Sequence, residues 1–490
     1  MSDQLPAIIG GILIVVDLAI RITALIIVPR GRKPTAAMAW LLAIFLIPFV
    51  GIILFLLIGN ARLPKKRRER QAELNRIITA RAAPLELAGD RSSWPDWFAA
   101  LTRQNRELGS LPAVTGNTAL LIDDYRASID AMAAEIDAAA RFVHVEFYIV
   151  SFDDTTQGFF SAMERAVQRG VTVRLLADYV ASRRTVDSDA TFAELTRIGV
   201  KWSWMLPVRP FHGEYSRPDL RNHRKILVAD GRVAFLGSQN LIDRSYNSKK
   251  NIERGLQWQE LMSRVTGPIV SAANAVFLSD WYLETGEMLG DDENVRAVDM
   301  ASDTSPDALV CQIVPSGPGY EDENNLRQFL TLVTSAQRRV IITSPYFVPD
   351  EAMMYAITSA CARGLDVQLF VSEIGDQGSV WHAQRSYYDS LLRAGVQIWL
   401  YPAPFILHSK HLSIDEDVAV IGSSNMDIRS FALNAEVTML VRGKVFVDQM
   451  RLVEQRYRDA GRQLTLEEWR KEPASATFLD GVARLTSALQ

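Results

Sequence analysis

His223-Arg224-Lys225-Ile226-Leu227-Val228-Ala229-Asp230 and His408-Ser409-Lys410-His411-Leu412-Ser413-Ile414-Asp415 are two copies of one pattern: His-x-Lys, with an aspartate five residues beyond the lysine. In both copies six residues intervene before a Gly-Ser-x-Asn turn, Gly237-Ser238-Gln239-Asn240 and Gly422-Ser423-Ser424-Asn425. A spacing of 185 residues separates His223 from His408 and Asn240 from Asn425 alike. Fainter echoes lie upstream, Arg169-Gly170-Val171 with Arg363-Gly364-Leu365 and Ile198-Gly199-Val200 with Ala394-Gly395-Val396. Matching positions at a fixed offset mark a duplicated unit. The chain therefore reads as two related halves, residues 111–300 and 301–490.

Each half alternates short β-rich apolar runs with helical stretches. In the first half the runs are 143–150, 171–176, 226–228 and 233–236, with a helical stretch at 158–168; in the second they are 340–344, 367–371, 412–414 and 418–421. This alternation predicts an α/β fold, a mixed sheet flanked by helices in each half. Residues 62–110, charged and rich in helix formers, read as a basic helical connector. Pro315-Ser316-Gly317-Pro318-Gly319 marks a loop early in the second half.

The N-terminus, residues 1–61, has a different composition. Residues 36–58 carry no charge and are broken only by Pro48 and Gly51. As one helix they match a hydrocarbon core of about 30 Å. A second apolar stretch, residues 5–28, contains Asp17 and Arg21 at i, i+4 spacing, where they can pair. It reads either as a span or as an amphipathic helix in the interface. No basic segment precedes it, so a cleaved signal peptide is disfavoured. Six of the nine residues from Arg62 to Arg70 are basic, against Arg30, Arg32 and Lys33 in the earlier loop. The positive-inside rule then predicts a multi-pass membrane protein with a cytoplasmic catalytic portion. The same basic run suits an anionic membrane surface.

Over the 490 residues, 22% are charged and the formal net charge is −4, so bulk charge selects no partner. The two cysteines, Cys311 and Cys361, stand in unrelated contexts, which excludes a disulfide framework or a Cys–His zinc site. Gly-x4-Gly-Lys-Ser/Thr, His-Glu-x-x-His and Asp-Gly-x-x-Ala-Arg are all missing from the sequence, so neither a metal nor another cofactor is expected.

The repeated residues suit displacement at phosphorus. On a strand His223 and Lys225 share a face, as do His408 and Lys410, and His411 then points the other way. Histidine serves as nucleophile or as acid and base near neutral pH, and lysine neutralises phosphate oxygens. Ser238, Asn240, Ser423 and Asn425 offer a hydroxyl and an amide to the same oxygens. Asp230 and Asp415 hold either the opposite imidazole or the sheet, and the pattern does not distinguish these. One isolated His-x-Lys is most simply a packed strand. Two copies supply the two histidines that a phosphohistidine route requires, one to attack and one to move protons. The remaining histidines (His144, His212 and His382) read as structural.

These motifs resemble those of the phospholipase D superfamily. Leu220-Arg221-Asn222-His223, Gln257-Trp258-Gln259-Glu260-Leu261, and Ser344-Pro345-Tyr346-Phe347-Val348-Pro349-Asp350 look like bacterial cardiolipin synthases. So do Asp427-Ile428-Arg429-Ser430-Phe431 with Asn434 and Glu436, and the N-terminal Ala39-Trp40-Leu41-Leu42 through Pro48-Phe49-Val50-Gly51 to Gly59. The resemblance covers almost the whole chain, thinnest at residues 62–110 and 285–310. It implies transfer of a phosphatidyl group between two phosphatidylglycerol molecules, giving cardiolipin and glycerol, at the bacterial inner membrane and without nucleic acid. It also implies His223 as nucleophile and His408 as general acid and base, although pseudo-symmetry permits either order. Lys225, Lys410, Asn240 and Asn425 would bind phosphate, Asp230 and Asp415 would support the geometry, and Glu260 and Glu436 would orient the opposite histidine. The sequence departs from the family at His411 and Ser344, where threonine is more usual. A phospholipase D-type hydrolase, a transferase using other lipids, and an inactive membrane-anchored lipid-binding module are the alternatives.

Overall fold

Proline restricts the residue before it as well as itself, and Pro48 decides the shape of the membrane segment. In the computed structural model, which describes residues 4–30, 32, 34–59, 63, 65–86, 94–209, 214–289, 302–320 and 323–485, Ile47 leaves the helical region at φ −135°, ψ 73° and Pro48 opens a new helix. The stretch 36–58 is consequently two helices, Pro34–Leu46 and Pro48–Ile58. They fold back on each other, with the Trp40 and Phe55 rings edge to face at 5.5 Å. In one straight helix those residues would stand roughly 22 Å apart. Gly51 permits the turn, because a Cβ there would lie 2.7 Å from the Ile44 Cα.

This corrects the expectation of two spans. Among the described residues one helix is long and apolar enough to cross a bilayer, Ile9–Ile27 within Gln4–Ile27. It is the stretch that holds Asp17 and Arg21, whose side chains pair at 2.8 Å. The two shorter helices rise only about 20 and 17 Å, less than the hydrocarbon thickness. The chain is thus membrane-associated through one spanning-length helix and a short helical hairpin.

Met1–Arg62 forms one compact unit and Leu63–Gln490 another. The second is built on a single sheet of fifteen strands. From one edge the order is Lys201–Met205, Thr172–Asp178, Phe142–Phe147, Lys225–Ala229, Val233–Gly237, Met262–Thr266 and Val114–Ile122. It then runs in mirror sequence through Leu309–Ser316, Glu436–Arg442, Val418–Gly422, His411–Ile414, Arg339–Thr343, Asp366–Ser372 and Gln397–Tyr401, with Arg462–Leu464 added at the edge. Lys201–Met205, Thr172–Asp178 and Phe142–Phe147 run parallel in the first half, as do Arg339–Thr343, Asp366–Ser372 and Gln397–Tyr401 in the second, and the other neighbours in the sheet pair antiparallel. The halves meet where Val114–Ile122 pairs with Leu309–Ser316.

Alternation along the strands fills both faces. Leu227 and Ala229 pack with Phe159 and Phe160 of helix Gln157–Gln168. Ile226 and Val228 point into a second core with Ile269 and Ala273 of helix Ile269–Thr285, which continues under the other half to Phe446 and Met450 of helix Lys444–Ala460. Helix Lys65–Glu86 docks on Ile269–Thr285: Arg67 pairs with Glu284 at 2.5 Å, and Arg70 lies over the Tyr282 ring. Part of the basic run therefore serves the protein interior and not a lipid surface.

The two motif aspartates take the second of the roles left open by the sequence. Asp230, at φ +52°, accepts hydrogen bonds from the amides of Ala140, Arg141 and Phe142 at 2.8–3.0 Å. Asp415, at φ +46°, does the same for Gln337, Arg338 and Arg339 at 2.7–3.1 Å. Each carboxylate fixes the entry of the neighbouring strand, and tolerance of the left-handed region suits aspartate. An Asp230→Ala variant, which leaves three amides unpaired, is expected to lose about 2–4 kcal/mol of stability in denaturant titrations. In a background lacking Cys311 and Cys361, cysteines at positions 40 and 55 should cross-link with a short reagent. A continuous helix over 36–58 would keep them apart.

Candidate active site

Each histidine lies just before its strand, not within it, which revises the face argument made from alternation. The ladders begin at Lys225 and His411. The histidine backbones pair instead with the opposite half: the His223 amide donates to the Ala435 carbonyl, and the His408 amide to that of Gln259, both at 2.8 Å. Phe405–Leu407 runs parallel to Gln257–Gln259 in a two-stranded ribbon, and Asn222 bridges to Ala435. Every histidine is thereby set beside the residue that precedes a glutamate of the other half.

The side chains complete that exchange. His223 Nδ1 lies 3.0 Å from Glu436 Oε2 and 3.0 Å from the Ser423 carbonyl, and His408 Nδ1 lies 2.7 Å from Glu260 Oε1. Ser423 donates to Glu436 and Ser238 to Glu260, each at 2.5 Å. Those serines can reach because Gly237 and Gly422 let two strands touch; a Cβ at either would lie 2.3 Å from a carbonyl oxygen. Lys225 and Lys410 each donate Nζ to the carbonyl of their own motif histidine at 2.6 Å. Asn240 accepts from the Ile149 amide and donates to the Tyr246 hydroxyl, which donates to Glu260. Asn425 is buried, and its Oδ1 has no hydrogen-bond partner among the described residues. Nine of the twelve residues named from sequence, Asn425 aside, thus gather about the two imidazoles. Asp230 and Asp415 do not; they sit at the far ends of their strands.

Burial sets the charge states. Burial alone would raise both glutamates, but His408, Lys410 and Ser238 hold Glu260 below the usual carboxylate range, and His223, Lys225 and Ser423 do so for Glu436. Burial pushes His223 down to about 4 and His408 to about 3; the facing glutamate opposes this, and both lysines reinforce it. Next to an ionised carboxylate a neutral imidazole carries its proton on Nδ1, which leaves the Nε2 lone pair available. Burial lowers Lys225 to about 7, with repulsion from Lys410 adding to it, and lowers Lys410 to about 8.

Several partners were not evident from sequence. Tyr148 packs edge to face on His223 at 4.8 Å, with Lys225 Nζ 5.2 Å from its ring. Tyr246 and Tyr346 meet His408 edge-on at 6.2 and 6.4 Å. Arg224 is buried against Asp280 and donates to the Glu436 carbonyl, and Asn222 donates to Glu146. Only the charge of Arg224 between His and Lys hinted at that network. His411 is buried and bonded to Thr343 at 3.0 Å. His144 bonds to Asn274 and stacks on Phe277, and His382 bonds to Asp480. His212 lies outside the described residues.

A duplicated sheet that brings two carboxylate-held imidazoles and two lysines together defines an enzyme of the phospholipase D type. The family model described as "Cardiolipin synthase, PLD-like domain" matches residues 132–281 and 329–456, and one described as "Phospholipase_D-nuclease N-terminal" matches 19–60. The chain belongs to the cardiolipin synthase, PLD-like family. It is 31% identical to cardiolipin synthase A of Pectobacterium carotovorum, covering 91% of each chain. It is 31% identical to the cardiolipin synthase of Geobacillus kaustophilus as well, over 95% of this chain and 91% of that one. The crystal structure of phosphatidylserine synthase from Haemophilus influenzae shares the fold, with a TM-score of 0.60 at 14% identity over 79% of this chain and 99% of that one.

The lysines give the site a pH dependence of known sign. Each is a cation below its pKa and loses its charge as pH rises through it, so affinity for an anionic phosphodiester falls on the alkaline side. In a pH profile of phospholipid turnover, kcat/KM should decline through about 7 to 8, by about tenfold or more at pH 9.

Proposed function

We infer that the chain transfers a phosphatidyl group from one phosphatidylglycerol to the head-group hydroxyl of another, making cardiolipin and releasing glycerol. The observation that carries this reading is the pair of neutral histidines, each with Nδ1 held by a glutamate of the opposite half. In the first step, with the anionic phosphodiester bound and His408 protonated at Nε2 as well, His223 Nε2 attacks phosphorus, the bond to the glycerol oxygen breaks, and His408 gives that Nε2 proton to the leaving glycerol. In the second, the acceptor hydroxyl gives its proton to His408 as its oxygen bonds to phosphorus and the phosphohistidine bond breaks. One phosphodiester replaces another, so the exchange needs no nucleotide. Lys225 and Lys410 neutralise the phosphoryl oxygens, with Asn240 and Asn425 beside them. Residues 111–300 and 301–490 are the two domains in this reading. The apolar N-terminal helices attach the chain to the bacterial inner membrane, and the basic residues from 62 to 70 favour a cytoplasmic catalytic side.

The test is incubation of the purified chain with phosphatidylglycerol in mixed micelles. Equal amounts of cardiolipin and glycerol are expected, with a loss of about a thousandfold or more in His223→Ala and in His408→Ala. Phosphatidic acid as sole product would make the chain a hydrolase. Turnover of no phospholipid at all would favour a binding module.

A further inference from the structure

The halves match in the groups that hold the imidazoles and differ in what stands before them. On the His223 side Tyr148 faces Asp178, and Arg429, Arg221 and Arg184 oppose that carboxylate with positive charge. Arg429 is partly exposed and donates to the Asp219 carbonyl at 2.9 Å. On the His408 side the equivalent tyrosine, Tyr346, donates to Asp376 Oδ2 at 2.8 Å and accepts from Gln377 Nε2 at 3.2 Å. The groups acting on Tyr346 are Asp376, Gln377 and Tyr148. Asp376 also acts on Lys410. Asp376 Oδ1 accepts no hydrogen bond among the described residues, and a small cavity is lined by Tyr346, Asp376, Gln377 and Ile406.

A carboxylate before His408 disfavours a second phosphate there and favours hydroxyl donors. The two alcohols that the transferase reading brings to His408 share one feature. Departing glycerol and the acceptor head group both carry a hydroxyl on the carbon adjacent to the one that bears the reacting oxygen. We propose that Tyr346, Asp376 and Gln377 form an alcohol subsite that binds this vicinal hydroxyl and makes 1,2-diols the preferred acceptors. The hydroxyl donates to Asp376 and accepts from Gln377, while the reacting oxygen faces His408 Nε2. No bond in the transfer steps changes; the subsite selects the alcohol that enters them. The inference rests on the transferase reading.

The experiment offers 1,2-propanediol and 1-propanol separately to the full chain with phosphatidylglycerol as donor, and compares kcat/KM for the two phosphatidyl alcohols formed. These acceptors differ only in the vicinal hydroxyl. The wild-type chain is expected to prefer the diol by about tenfold or more. Asp376→Asn should bring that ratio close to one, and Gln377→Ala, at an exposed position, should lower it severalfold. Equal use of both alcohols by the wild type, or an undiminished ratio in Asp376→Asn, overturns the subsite. Transfer to neither alcohol while cardiolipin still forms overturns the subsite, and the absence of both phosphatidyl alcohols and cardiolipin overturns the transferase reading.

Discussion

Glu260 and Glu436 are ionised, fully enclosed, and each belongs to one half while serving the histidine of the other. A buried charge is costly unless it is paired and hydrogen-bonded, so each carboxylate requires its serine, its imidazole and the nearby lysines together. Neither half satisfies its own glutamate. The continuous sheet, the ribbon of Phe405–Leu407 with Gln257–Gln259 and the bridge from Asn222 to Ala435 all supply the proximity that this exchange demands. Removing one partner leaves a buried charge with one donor fewer, at a cost set by its enclosure.

The same enclosure explains how two neutral histidines can take on opposite tasks. Below pH 7 two lysine cations balance two glutamates, and the empty site is close to neutral. A phosphodiester entering this space adds one negative charge within reach of both imidazoles. That charge raises their basicity, because it offsets the lysines that depress it. In the transferase reading, substrate binding prepares one imidazole to hold a proton while the other keeps its Nε2 lone pair. Low polarity strengthens each of these interactions relative to water.

What the sequence made legible followed from register. Identical spacing identified the duplication, and the α/β reading followed from runs whose strands fall within a few residues of the expected positions, as with 340–344 against Arg339–Thr343. Residue type alone did not reveal partners. Asp230 and Glu260 are both acids near a motif, yet one binds backbone amides at a strand entry and the other an imidazole from 148 positions away. Nor does composition report backbone direction: residues 36–58 have the hydrophobicity of a span, and the restriction Pro48 places on Ile47 turns them into a hairpin. Alternation places the histidines on strands that in fact start two and three residues later, since His223 and His408 pair across the halves.

Pseudo-symmetry creates a problem that the residues outside the motifs answer. Two histidines with identical surroundings would have equal nucleophilicity and equal acidity, whereas transfer needs one to attack and the other to shuttle protons. The motifs cannot hold that difference, being copies. It lies instead in positions where the copies diverge. Arg224, buried against Asp280 and bonded to the Glu436 carbonyl, stands behind the first motif, where Ser409 and Tyr457 share a hydrogen bond behind the second. Tyr246 adds a third donor to Glu260, and the position corresponding to it in the second half, six residues past the motif asparagine, is Phe431. A carboxylate with three donors has less charge to share with its imidazole than one with two, so Glu260 supports a proton on His408 less than Glu436 supports one on His223. A less basic imidazole releases its proton more readily to a departing alkoxide, and a more basic one is the better nucleophile toward phosphorus. In the transferase reading the duplicated fold supplies the pair, and its departures from symmetry are the places that can divide the work between them.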